Sequence, residues 1–218
     1  MFVTGASRGI GEAVARIYRA NGHEVITPPR SELDLGRTDA VTDFLTRHRG
    51  LEPDVLVNNA GINEIHPIET LPLEVWTRTL DTNLTAAFLL TQAFAPRMAE
   101  KGWGRIVNVG SCYGVVGRPG RAAYSASKAG LAALTRTTAL EFGARGVIAN
   151  ALCPGFVATE LTYRNNTPEQ LEEVRRQIPL ERFARAEEIA EVAFFLGSDR
   201  NGYIQGQTIL ADGGFVIR

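Results

Sequence analysis

The sequence predicts an α/β protein built on a doubly wound parallel sheet with helices on both faces. Three observations carry this. Short Val/Ile/Leu runs alternate along the chain with stretches of helical periodicity. Those runs are near-continuous in apolar character, as strands covered on both faces are. The glycines, 22 in 218 residues, cluster after the runs, where tight turns or the close approach of another group require them.

Each element follows in order. Residues 1–4 form a short strand, and Ile10, Ala13, Val14, Ile17 and Tyr18 then fall at helical spacing until Gly22 stops the helix. Residues 24–27 read as a second strand, broken by Pro28-Pro29. A helix over 39–47 places Val41, Phe44 and Leu45 on one face, and 54–57 is a strand running into Asn58-Asn59-Ala60-Gly61. Pro72 opens a long helix to about Glu100, with a kink expected at Pro96. Strands over 105–109, 147–152 and 207–210 flank helices over 124–142 and 187–196. Thr167-Pro168-Glu169-Gln170 has the composition of a capped helix start. Glu32-Leu33-Asp34-Leu35 is a short strand-like run that serves as strand three, so no room is left for a helix between strands two and three, and the sum is one domain over 1–218 with about six to seven parallel strands.

Composition narrows the function. A formal net charge of -1 argues against nucleic acid or an anionic membrane as the main partner. No apolar run reaches the length of a membrane span, and no leader-like segment opens the chain. Cys112 and Cys153 are too few for a disulfide scaffold. A soluble, cytoplasmic protein is expected. His23, His48 and His66 show no ligand spacing with the cysteines, so no catalytic metal is expected.

Thr4-Gly5-x-x-x-Gly9-x-Gly11 lies between a strand and an amphipathic helix. Glycines there let backbone approach a pyrophosphate, whose charge the helix N-terminus favours, so the loop reads as a dinucleotide cradle. Taken with Asn58-Asn59-Ala60-Gly61, Asn83, Ser111, Tyr124-x-x-x-Lys128, Pro154-Gly155 and Asp212-Gly213-Gly214, it resembles the short-chain dehydrogenase/reductase family nearly end to end. The likeness is greatest to single-domain carbonyl reductases of the 3-oxoacyl carrier-protein reductase type. It implies a single Rossmann-type domain and an oxidoreductase acting on CH–OH groups.

Tyr124 and Lys128 are four apart on a helix and share a face. A nearby ammonium is expected to lower the phenol pKa so that it trades a proton near neutrality. Ser111, at a strand end, is placed to hydrogen-bond an oxygen that gains charge as hydride arrives. By resemblance, Asn83 completes the catalytic set with a water that links Lys128 to solvent. The resemblance also implies cofactor contacts from Gly5, Ser7, Arg8, Gly9, Ile10 and Gly11 in the first loop. It adds Asp34 and Leu35 at the adenine, Asn58, Ala60 and Gly61 at the ribose, and Pro154, Gly155, Val157 and Thr159 at the nicotinamide. Tyr124 and Lys128 contact the cofactor as well.

No acidic residue ends strand two, where one would bind a ribose 2′-hydroxyl. Arg30, Ser7 and Arg8 are instead suited to a 2′-phosphate, so NADP(H) is favoured, with NAD(H) kept open by Glu32. The missing helix predicts an open adenine side. Residues 156–180 form a substrate lid. Arg118 and Arg121 read as solvated loop residues, or else as groups that attract an anionic substrate. The expected activity is reversible reduction of a ketone to a secondary alcohol, with a small carbonyl or alcohol as partner. An NAD-dependent sugar or polyol dehydrogenase and a non-catalytic NADP-binding scaffold are the alternatives. Alanine-rich helices suit a homodimer or homotetramer.

Overall fold

Valine, leucine and isoleucine runs pair side by side in the computed structural model, which describes residues 1–217. Among the described residues five strands form one parallel sheet: β1 (Phe2–Val3), β2 (Val55–Asn58), β3 (Gly104–Val109), β4 (Val147–Pro154) and β5 (Thr208–Ala211). They lie in that spatial order. The register sets Phe2, Leu56, Ile106 and Ala149 in one row and Val3, Val57, Val107 and Asn150 in the next. Successive side chains leave a strand on opposite faces, so the two rows feed two separate cores.

Helices α1 (Gly9–Ala20) and α8 (Ala186–Leu196) cover the valine face, burying Val14, Tyr18, Ile189 and Leu196. Helices α2 (Thr38–Arg47), α4 (Ala86–Glu100) and α5 (Ala122–Phe142) cover the other face, with Phe44, Leu90, Phe94 and Met98 against Phe2, Leu56 and Ile106. Each such large side chain contributes roughly 1.5–3 kcal/mol on burial. No helix among the described residues is long and apolar enough to cross a membrane.

Three expectations need correction. The sheet has five strands, not six or seven. Strand two is reduced to one bridge, Phe2 to Ile26, made by Val3 N–H to Ile26 O at 3.1 Å and Ile26 N–H to Met1 O at 2.9 Å. Pro28 and Pro29 supply no N–H to extend it. Leu33-Asp34-Leu35 is not a strand either: Asp34 Oδ1 accepts from Gly36 N–H at 3.1 Å and turns the chain. No helix intervenes between Ile26 and α2, as the spacing requires.

The long helix is also divided where the sequence did not suggest it. Helix α3 (Leu73–Leu80) passes through one π-helical turn, Asp81–Thr85, into α4, and Pro96 sits inside α4 without ending it. Pro168 opens α7 (Pro168–Gln177) behind a capping box of Thr167 and Gln170, as its composition demands.

From β1 the chain passes through α1 to Ile26 on one side, then crosses to β2 on the other. The winding reverses between β1 and β2. At the carboxyl ends of such strands an open crevice forms.

Candidate active site

Thr4 and Asn59 shape the crevice. Thr4 Oγ1 accepts from the backbone N–H groups of Asn59 and Ala60, both at 3.0 Å. Asn59 Nδ2 donates back to Thr4 O at 2.9 Å and Gly5 O at 3.2 Å. The glycine loop is thus fastened to the β2 turn through side chains. Gly5 has φ +68°, and a Cβ there would lie 2.9 Å from Ala60 Cα. At Gly11, in the first turn of α1, a Cβ would lie 2.3 Å from Gly5 O and 2.4 Å from Asn59 Nδ2. Such a bare backbone at a helix start suits a phosphate group.

One cavity of about 720 Å³ runs from Pro28 and Arg30 past this loop to Ser111, Tyr124 and Lys128. Ser111 follows β3, extended and buried, its Oγ accepting from Tyr113 N–H at 3.2 Å. Tyr124 and Lys128 come from the first two turns of α5. Lys128 Nζ donates to Val109 O at 2.7 Å and lies 5.8 Å from the Tyr124 ring centre. Burial pushes the Tyr124 phenol up to about 12, against a lowering hydrogen bond from Ser111. Desolvation is the largest influence on the phenol and runs against the lowering expected of the ammonium. At neutral pH Tyr124 holds its proton and can donate it.

Burial also pushes Lys128 down, to about 8 from 10.5. Between pH 8 and 10 the unfolded chain then binds more protons than the folded one, so raising pH stabilises the fold there. Above pH 10 Tyr124 opposes this, since its folded value lies above its unfolded one. Wild type should gain melting temperature relative to Lys128→Met from pH 8 to 10. Parallel pH profiles for the two proteins would contradict a desolvated ammonium at this position.

Asn83 occupies the π-helical turn and is buried. Its Oδ1 accepts from Ile62 N–H at 2.8 Å, and its Nδ2 donates to Ile62 O and Ser127 Oγ, both at 3.0 Å. Ser127 Oγ donates to Tyr124 O at 2.7 Å. The residue lies behind the cavity wall and joins the β2 loop to α5. A Cβ on Gly61 would sit 3.3 Å from both Asn83 Oδ1 and Lys128 Nζ. Asn83 thus stands beside the ammonium without lining the cavity. Single helical π-turns recur at functional sites, and no sequence pattern marked this one.

The other selected residues divide. Gly5, Ser7, Arg8, Gly9, Ile10, Arg30, Asp34, Leu35, Ala60, Gly61, Pro154, Gly155, Val157 and Thr159 all line the cavity. Asn58 does not. It is buried in β2, where Nδ2 donates to Asn108 Oδ1 at 2.8 Å, and Asn108 Nδ2 continues to Thr135 Oγ1 at 2.8 Å. Its neighbour Asn59 lines the cavity instead. Gly11 acts from beneath, through Gly5 O.

The segment after β4 folds as α6 (Glu160–Arg164) and α7 and is tied across the cleft at two points. Arg8 Nη1 meets Glu160 Oε2 at 2.8 Å, and Asn165 Nδ2 donates to Asn63 O at 3.0 Å. Asp212, after β5, accepts from Gly214 and Val216 N–H at 2.9 Å each and holds the tail beside Gly155.

A family profile described as enoyl-(acyl carrier protein) reductase matches residues 32–216. The chain is 38% identical over 240 aligned positions to a 3-oxoacyl-[acyl-carrier-protein] reductase of Synechocystis, covering 99% of this chain and 96% of that one. It is 37% identical to an acetoacetyl-CoA reductase of Rhizobium meliloti, covering 97% and 96%. A solved 4-hydroxyisoleucine dehydrogenase complexed with NADH superposes with a TM-score of 0.93 at 30% identity, covering 100% and 99%.

Proposed function

Because the chain belongs to the short-chain dehydrogenase/reductase family, we propose that it is an NADP(H)-dependent reductase of a ketone, reversible towards the secondary alcohol. The observation that carries this reading is the meeting of Ser111, Tyr124 and Lys128 with the glycine loop in one cavity. The residues fit a nicotinamide dinucleotide. The loop offers backbone where a Cβ would collide, and Lys128 spends one of its three N–H donors on Val109 O. When bound, the dinucleotide supplies or accepts the hydride.

The chain's own groups do the rest. Ser111 donates to the substrate oxygen and steadies the charge that develops there. Tyr124, protonated at neutrality, gives that oxygen its proton as an acid. Lys128 stands behind the phenol to replace the proton, with Asn83 and Ser127 fixing the backbone around both. In the reverse direction Tyr124 takes the alcohol proton. The test is loss of reduced-nicotinamide absorbance with a panel of ketones, β-ketoacyl thioesters and keto-sugars. Failure with every member while NADPH binds would favour a binding protein.

NADPH is preferred on the strength of Ser7, Arg8 and Arg30 at the adenosine end of the cavity. Arg30 is 84% exposed, with only Asp34 at 3.5 Å, and is free to turn towards a 2′-phosphate. Arg30→Ala should raise KM for NADPH about tenfold or more, the order expected of a lost charge-assisted contact, with little change for NADH. Equal use of both dinucleotides by wild type would refute the preference.

A further inference from the structure

Arg121 flanks the start of α5, three residues before Tyr124 and so about one helical turn away. It is only 4% exposed, yet it lines the cavity. Its Nη1 is buried without a hydrogen-bond partner. The groups that act on its charge are the phenols of Tyr113 and Tyr124 and the like-charged Arg118, with no carboxylate among them. Arg118, by contrast, is occupied: Nη1 donates to Tyr113 Oη at 2.5 Å, and the guanidinium lies 5.7 Å from the Tyr113 and Phe156 ring centres. Of the two readings open to these arginines, a solvated position does not apply to Arg121.

The acids of the cavity cannot serve as its partner. Among the described residues three carboxylates line it, and each already holds another arginine: Asp34 holds Arg30, Glu64 holds Arg78 and Glu160 holds Arg8. Burying a guanidinium with no counter-charge is unfavourable, because its hydration is lost and nothing replaces it. An uncharged side chain would fill the same place without that cost. A guanidinium fork matches a carboxylate in two parallel hydrogen bonds. The missing anion therefore belongs to whatever occupies the cavity beside Tyr124.

We propose that Arg121 anchors a carboxylate carried by the ketone itself, so that the substrate is a short keto acid with its acid group a few bonds from the reacting carbonyl. This rests on the reductase reading above and narrows its substrate class. Arg121 is a substrate-binding residue in this role, and the proton path through Tyr124 does not include it.

The test compares 3-oxobutanoate with its methyl ester and with its pantetheine thioester, in wild type, Arg121→Gln and Arg121→Lys. Wild type should favour the free acid. The acid-to-ester ratio of kcat/KM should fall on the order of 100-fold in Arg121→Gln, as when one member of a buried charge pair is removed, chiefly through KM. Arg121→Lys should return part of the preference. A merely structural role would lower acid and ester together. The second readout needs no turnover: butyrate should bind the NADPH-loaded protein more tightly than butyramide, and Arg121→Gln should abolish the difference. Arg121→Lys carries the same comparison if the glutamine variant does not fold. An acid-to-ester ratio that does not move, preference for the thioester, or equal binding of butyrate and butyramide would each overturn the proposal. Ketone reduction with no carboxylate preference would sink it and leave the reductase reading standing. Butyrate held through Arg121 with no ketone reduced would do the reverse.

Discussion

Tyr124→Phe should lower ketone reduction by about a hundred- to ten-thousandfold, the range that a positioned acid contributes, while NADPH affinity shifts by no more than a few-fold. The substitution removes one hydroxyl from a site where, on the proposed reading, Ser111 would be the remaining donor to the substrate oxygen. Phenylalanine keeps the ring and its place beside Lys128 at 5.8 Å, so the packing at the start of α5 is retained. Steady-state rates and a dinucleotide titration on the same preparation separate the two effects. Turnover within tenfold of wild type would mean that the proton comes from elsewhere, and the phenol raised to about 12 would have no part in it.

Gly11→Ala should damage the protein from the other end of the cavity. Its Cβ would arrive 2.3 Å from Gly5 O and 2.4 Å from Asn59 Nδ2. Neither can yield cheaply, because Asn59 is itself bonded to Thr4 O and Gly5 O. Relief requires the loop to lift from the β2 turn. Overpacking of this kind costs roughly 1–3 kcal/mol, and the displaced loop should weaken NADPH binding well beyond tenfold. Gly50→Ala is the control, since nothing lies within 4 Å of the added methyl and its φ is not in the left-handed region. Thermal melting and the dinucleotide dissociation constant check both variants. Equal melting temperatures for the two would remove Gly11 from the account.

The middle of the sheet was legible because burial on both faces leaves a plain mark: apolar runs at β2, β3 and β4 with no polar alternation. Its edge was less so. Residues 24–27 read as a strand, but extending it depends on backbone donors that Pro28 and Pro29 lack. Ser111, Tyr124 and Lys128 could be named from motif order, and they do share a cavity. The exchange of Asn58 for Asn59 was readable in principle. Counting by two from Leu56, which faces α4 and α5, sends Asn58 to the same side and Asn59 away from it.

Arg121 and the turn at Asn83 had no such signal. An arginine in a glycine-rich loop looks solvated until the fold closes over it, and a π-helical turn has no periodicity of its own within five residues. Sequence spacing shows the ammonium beside Tyr124 but not the depth of burial, which pushes the phenol up.

The edge at Ile26 makes the two ends of the cavity unequal in local stability. Two backbone hydrogen bonds hold Ile26 to Met1 and Val3, whereas Ser111 follows the central strand β3 and Lys128 of α5 is bonded to Val109 O of that strand. Segments with few backbone bonds open locally at lower free energy than the strands of the core. The end of the cavity at Pro28 and Arg30 is therefore the soft end and the end at Ser111 and Lys128 the stiff one. On the proposed reading, changes around Pro28 to Asp34 should alter dinucleotide choice while the geometry of Ser111, Tyr124 and Lys128 stays fixed, so that cofactor choice and chemistry vary independently.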